Sequence, residues 1–148
     1  MALWPRVDGW ELLRAREVLG ERASPLFLAM EKRDQRHALE VTRRLHERGV
    51  DDVELLQAAL LHDCGKGEVP VWLRVLKVLS PGTLRRLGDE RSAGWRGAAY
   101  RLREHGAIGA RLAASAGVGA GAVRLIEGRI LPGDESRWAL LESADDAS

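Results

Sequence analysis

The sequence is poor in the residues that build covalent cross-links and thiolate metal sites. Cysteine occurs once in 148 residues, as Cys64. A single thiol excludes an internal disulfide and a zinc site made of thiolates, and it suits a reducing compartment. No run of 18 or more uncharged apolar residues is present, so we expect no transmembrane segment. The N-terminal residues lack the basic start and apolar core of a signal peptide, which favours a cytoplasmic protein.

A charge bias is also missing. The net charge is +1, and acidic and basic residues are interspersed along the chain. Such a chain lacks the basic patch of a dedicated nucleic-acid binder. Apolar residues make up 45% and charged residues 30% of the sequence, which is typical of a soluble globular protein. The length suits one compact domain, so we predict a single domain over residues 1–148.

The pattern of a β-strand, alternation of apolar and polar residues, is not sustained anywhere in the sequence. Apolar residues instead recur at helical spacing nearly throughout, which predicts an all-α, compact helical bundle. Capping and turn residues divide the chain into expected helices over residues 8–19, 24–30, 34–47, 53–63, 69–79, 83–90, 95–104, 105–116, 120–129 and from 134 or 135 to near the C-terminus. We expect Asp51 or Asp52 to cap the fourth of these helices and Gly65 to end it.

The stretch LLHDCGKG places His62 and Asp63 at the end of that fourth helix. A chance His-Asp pair is expected about a quarter of the time in such a chain, so the dipeptide alone is weak evidence. The preceding LLQAALL is apolar on nearly all faces, which predicts a central helix whose end lies inside the molecule. Charged groups there need partners, and the partial negative charge at a helix C-terminus favours a cation.

Two further residues can complete a metal site. His37 lies one helical turn before Val41, at the edge of the stripe that faces the core. Asp145 follows Leu141 by four residues and falls on the apolar side of the last helix, whereas Asp146 falls on the side that faces solvent. Two imidazoles and two carboxylates suit one divalent ion, namely Mn, Fe, Co, Ni, Zn or Mg.

The pattern of His37, then His62-Asp63 in LLHDCGKG, then Asp145 in LLESADD resembles the H…HD…D signature of the HD-domain superfamily of metal-dependent phosphohydrolases. The resemblance covers about residues 34–147, and RHALEVTRRL, AALLHDCGK and EHGAIGARLAASAG occur in the order that family members show. It implies a helical bundle with a metal ion between helices. The implied ligands are His37, His62, Asp63 and Asp145.

The resemblance also implies a reaction, the hydrolysis of a small phosphorylated molecule such as a nucleotide or a related phosphomonoester. In that reaction Asp63 orients the attacking water and Lys66 reaches the substrate phosphate. His105 matches a further family histidine that contacts phosphate or a second metal. No histidine follows His105, which favours a single metal. The same departure leaves open an alternative function, a catalytically silent or regulatory domain that binds a nucleotide or a protein partner.

Several residues also admit plainer interpretations. His105 can be a capping or surface residue, and His46 is expected to be solvated. Cys64 is expected to act as a small hydrophobic residue. The apolar and basic segment 69–87 can belong to the core, contact a membrane surface, cover the site or pair two copies of the chain, so a homodimer stays open.

Overall fold

The chain is helical in the part that the structure describes. The computed structural model describes residues 6–67 and 94–148, except the side chains of residues 95 and 96, together with residues 79, 80, 82, 83, 86 and 90. Its bounded helices are α1 (Gly9–Leu28), α2 (Lys32–Glu47), α3 (Val53–Leu61), α4 (Gly94–Ser115), α5 (Ala120–Glu127) and α6 (Glu135–Asp146). These residues include no β-strand, which confirms the all-α prediction for them. The predicted helices 69–79 and 83–90, and with them the segment 69–87, lie mostly outside the described residues.

Helix α3 is the centre of the bundle. It packs against α1, α2, α5 and α6. Its buried residues are Leu55, Leu56, Ala58, Ala59, Leu60 and Leu61. The Asp52 side chain caps it, because its Oδ1 accepts hydrogen bonds from the backbone N–H groups of Glu54 and Leu55 at 3.1 and 3.3 Å. Both the expected central position and the expected cap are therefore confirmed.

The end of α3 differs from the prediction. The helix stops at Leu61, His62 is its C-cap, and residues 62–65 form a turn. His62 and Asp63 thus lie beyond the helix instead of on its last turn. Gly65 does not end the helix through a left-handed conformation, since it is not among the residues with positive φ. Its role is a close contact with α4.

That contact presses the turn onto the backbone of α4. A Cβ placed on Gly65 would lie 2.2 Å from the carbonyl oxygen of His105 and 2.6 Å from the backbone nitrogen of Gly109. The position of a Cβ on Gly109 is in turn 3.2 Å from the Cys64 sulfur. Only glycine allows two backbones to approach so closely. The approach brings Asp63 next to His105.

The predicted break between helices 95–104 and 105–116 was wrong. Helix α4 runs without interruption from Gly94 to Ser115. Gly106, which directly follows the position of the predicted break, faces α5: a Cβ there would lie 3.1 Å from the carbonyl oxygen of Ile126. Tertiary packing therefore overrides the low helix propensity of glycine at this position. Helix α5 is shorter than predicted because Gly128, at φ 76°, ends it after Glu127.

In α1 the two predicted helices 8–19 and 24–30 are joined across a kink. Gly20 has φ 72° and ψ 177°, and the helix resumes directly after it. Ser24 does not start a new helix, since its hydroxyl donates a 2.6 Å hydrogen bond to the carbonyl oxygen of Gly20. Asp8 begins α1 as expected, with its backbone N–H donating to the Glu11 carboxylate at 3.2 Å.

Helix α6 returns to the start of α3 and to α2. Arg137 donates to Asp52 Oδ2 at 2.7 Å and to Glu54 Oε2 at 3.2 Å. This contact fixes α6 so that its last turn, with Asp145, reaches α2. Among the residues described, none of the helices has both the length and the apolar character that crossing a bilayer requires.

We predict that Gly65→Ala destabilises the protein by about 3 kcal/mol, because the added methyl group meets backbone atoms that cannot rotate away. The control is Gly9→Ala in the first turn of α1, where a Cβ has no neighbour within 4 Å. Urea unfolding of both variants measures the difference. Equal unfolding free energies for the two variants would show that the turn does not depend on this contact.

Candidate metal centre

Three of the four predicted ligands form a compact group. His37 comes from α2, and His62 and Asp63 come from the turn after α3. Each offers one ligand atom, and these atoms all lie within 4.8 Å of one another. The two imidazole rings meet edge to face, with centroids 5.4 Å apart. The structure therefore brings together residues that are 25 positions apart in the sequence and that could hold a metal ion.

Asp145, the fourth predicted ligand, approaches the same group from α6. Its Oδ1 lies 2.6 Å from Nε2 of His37 and 3.4 Å from Nε2 of His62. These two histidines hold the pKa of Asp145 well below its usual range, despite the opposing effect of burial. Asp146 is exposed, as the sequence predicted. Asp145 thus places a negative charge against both imidazole nitrogens that face the group.

We call His37, His62, Asp63 and Asp145, with the neighbouring Lys66 and His105, the cluster. Asp63 is its buried acid, with only 4% of its surface exposed. Its Oδ2 lies 2.6 Å from the Lys66 ammonium nitrogen and 3.7 Å from Nε2 of His62, and its Oδ1 lies 3.5 Å from Nε2 of His105. Burial alone would raise the pKa of Asp63, but His62, Lys66 and His105 together lower it. Asp63 is therefore an ionised carboxylate surrounded by cationic or hydrogen-bonding groups.

Backbone carbonyl groups orient two of the imidazoles. Nδ1 of His62 lies 2.8 Å from the Ala59 oxygen, and Nδ1 of His105 lies 3.0 Å from the Leu102 oxygen. A proton on each Nδ1 makes these contacts hydrogen bonds and directs Nε2 toward the carboxylates. Burial opposes the charged form of His62, but Asp145 and Asp63 outweigh it and raise the pKa of His62. The environment of this Nε2 thus favours a cation.

The chemistry of the donor set fits a divalent transition metal. Two imidazole nitrogens with carboxylate oxygens suit Mn²⁺, Fe²⁺, Co²⁺, Ni²⁺ and Zn²⁺, and they suit Mg²⁺ less well. The fixed Nδ1 contact of His62 is the outer hydrogen bond that ligating histidines commonly make. His37 and Asp145 are 29% and 41% exposed at their side chains, so the group is accessible from their side.

The remaining residues singled out by the sequence lie as expected or away from the cluster. His46 is exposed near the end of α2. Cys64 packs against the core, and burial, with the charge of Asp63, raises the pKa of its thiol to about 12. This supports its interpretation as a small hydrophobic residue, since a thiol of that pKa is a poor nucleophile near neutral pH. A cavity of about 520 Å³ between α1 and α2, with Trp10 on its wall, does not include the cluster.

One residue near the site was not identified from the sequence. Arg101 of α4 donates from Nε to the carbonyl oxygen of Lys66 at 3.2 Å. It precedes His105 by four residues, so both lie on the same side of α4. That spacing was a usable signal, but it gains meaning only once α4 is known to pass beside the turn.

Comparison with family models, curated protein sequences and solved structures found no match for this chain. A functional assignment therefore has to come from the geometry of the cluster and the pattern of its residues.

We expect the protein to bind about one divalent ion per chain, and we expect His37→Ala, His62→Ala and Asp63→Ala each to weaken binding by more than the 10- to 100-fold typical of losing an outer contact. Metal analysis after equilibrium dialysis with Mn²⁺ and Zn²⁺ measures this. His46→Ala is the matched control and should bind as wild type does. Equal binding by wild type and the three cluster variants would refute the ligand assignment.

The lowered pKa of Asp145 and the raised pKa of His62 predict a pH window for the chelator-treated protein. The Asp145 contribution to stability is present above the ordinary aspartate pKa of about 3.9, and it is lost as the pH falls further. The His62 contribution is present below the ordinary histidine pKa of about 6.5, and it is lost as the pH rises through the raised value.

Asp145→Asn should therefore reduce the free energy of unfolding most between about pH 4 and pH 6.5, and less above pH 8. Urea titrations across this range, with EDTA present, measure the difference from wild type. The exposed neighbour provides the control, since Asp146→Asn should show no such dependence. A loss that is independent of pH would contradict the contact between Asp145 and the histidines.

Proposed function

We propose that the protein is a metal-dependent phosphohydrolase of the HD-domain type. It would act on a small phosphorylated substrate, a nucleotide or a related phosphomonoester. The observation that carries the proposal is the buried Asp63 carboxylate, which joins a group able to hold a metal ion on one side to Lys66 and His105 on the other.

The division of charge around Asp63 supports a phosphate ester as the substrate. A phosphoryl group carries several anionic oxygens, and its transfer depends mainly on positioning and on neutralising charge. Lys66 provides an ammonium group next to the possible metal group, and His105, when both of its ring nitrogens are protonated, provides an imidazolium N–H donor there. The order His37, His62-Asp63, Asp145 in the sequence, which resembles the superfamily signature, points to the same reaction.

The residues then take distinct roles. A divalent ion held by His37, His62, Asp63 and Asp145 would make a bound water acidic enough to attack near neutral pH and would polarise a phosphoryl oxygen. Asp63 accepts a hydrogen bond from the attacking water and thereby orients it. Lys66 exchanges its contact with Asp63 for a phosphate oxygen, as a point charge on a flexible stem. His105 is held through Nδ1 by the Leu102 carbonyl, and in its doubly protonated form it donates from Nε2 to a second phosphate oxygen.

The second candidate is a non-catalytic domain that binds a nucleotide through the same residues. The contact of 2.6 Å between Lys66 and Asp63 favours it, because a carboxylate neutralised by an ammonium is a weaker partner for a water. The absence of any histidine after His105 in the sequence also favours it. Binding without turnover distinguishes this candidate from the enzyme.

We expect the protein loaded with Mn²⁺, Co²⁺, Ni²⁺, Fe²⁺, Zn²⁺ or Mg²⁺ to release phosphate from at least one member of a panel of nucleotides and phosphomonoesters. Asp63→Asn should lower kcat/KM by about 10² to 10⁴, because it removes the carboxylate that accepts a hydrogen bond from the attacking water and orients it. His46→Ala should leave kcat/KM unchanged. A protein that binds metal and nucleotide yet hydrolyses none of the panel with any of the ions is the non-catalytic domain.

A further inference from the structure

We propose that Arg101 is a positioning residue. It holds the backbone of Lys66, and through it the ion pair of Lys66 with Asp63, in place beside His105. The inference rests on the proposed function for its effect on turnover, but the contact itself can be tested without any substrate.

Arg101 contacts the end of the turn through a hydrogen bond and through close packing. Its Nε donates to the Lys66 carbonyl oxygen at 3.2 Å. The next residue, Gly67, has φ 60°, and a Cβ there would lie 3.0 Å from the same Nε and 3.4 Å from Arg101 Cδ. Glycine therefore permits both the left-handed backbone and the approach of the arginine. The contact closes the far end of the turn that begins at His62.

The hydrogen bond from Arg101 affects the position of the Lys66 ammonium group, because this group lies at the end of a long side chain with four rotatable bonds. Pairing of the ammonium group with Asp63 costs conformational entropy, and a fixed backbone lowers that cost. Two backbone contacts fix it: the Lys66 N–H donates to the Asp63 carbonyl oxygen at 3.1 Å, and the Lys66 carbonyl accepts from Arg101. Loss of the second contact frees one side of the residue that carries the charge.

Arg101 also connects the turn, which leads to Lys66, with α4, which carries His105. It stands on α4 one helical turn before His105, and His105 faces Asp63 Oδ1 at 3.5 Å while Lys66 faces Oδ2 at 2.6 Å. The turn and α4 must keep one relative position for Asp63 to meet both. The glycine contact at Gly65 sets that position at the start of the turn, and Arg101 sets it at the end.

The first test is amide hydrogen exchange, resolved by NMR, on wild type, Arg101→Gln and Arg111→Gln. Arg111 is an exposed arginine on the same helix, so its variant has the same change of charge. We expect the Lys66 amide to exchange about tenfold faster in Arg101→Gln only, because local opening of the turn becomes easier. An unchanged Lys66 amide overturns the proposal. If Arg101→Gln does not fold, Arg101→Lys replaces it.

The second test is a double-mutant cycle with Lys66→Ala on the metal-loaded protein. Arg101→Gln should keep the metal content and the unfolding midpoint of wild type and lower kcat/KM by about tenfold, the range of an outer contact. In the Lys66→Ala background it should cause no further loss, since it acts through Lys66. The proposal is overturned if the effects of Arg101→Gln and Lys66→Ala on kcat/KM multiply in the double variant, or if the metal content of Arg101→Gln falls. If wild type turns over no substrate, the proposed function fails, and the exchange experiment alone decides the role of Arg101.

Discussion

The burial of one negative charge, on Asp63, is the constraint on which the rest of the site depends. An unpaired carboxylate taken out of water costs several kcal/mol, so the fold has to bring it partners. They come from its own turn, in His62 and Lys66, and from α4, in His105. The crossing of the turn with α4 is therefore part of the electrostatics of the site. A change in that crossing would expose the Asp63 carboxylate to solvent or leave it buried without partners.

The crossing is built mostly from backbone. Gly65 and Gly109 allow the turn and α4 to touch without intervening side chains, and Gly106 does the same between α4 and α5. Backbone contacts of this kind fix distance more rigidly than side chains do, because they have no rotamers to change. The polar side chains of the cluster extend from a frame that is already set. This division explains why small residues concentrate next to the most highly charged part of the molecule.

The sequence predicted those features that local patterns determine. Helical spacing gave the all-α class, the apolar run before His62 gave the central helix, and Asp52 gave its cap. The grouping of His37 with His62 was predicted from the place of His37 at the edge of a core-facing stripe, from the buried end of the helix before His62, and from the resemblance to the HD-domain signature. The end of α3, the continuity of α4 and the contact of Arg101 were beyond reach, because each depends on which backbone segments touch. Glycine signals a break in a lone helix and a close crossing in a packed one, and only the packing distinguishes the two.

The charges of the cluster also show how metal and phosphate binding would depend on each other under the proposed function. Asp63 and Asp145 carry two negative charges, and in their mutual field His62 favours its protonated form while Lys66 pairs with Asp63. A metal ion at Asp63 would compete with the Lys66 ammonium group for the carboxylate oxygen that Lys66 contacts. An ammonium group displaced from Asp63 in this poorly solvated site would need another anion. A phosphate oxygen is such an anion. Under the proposed function Lys66 would thus link the two binding events, and the way its backbone is held would determine how far its ammonium group can move between them.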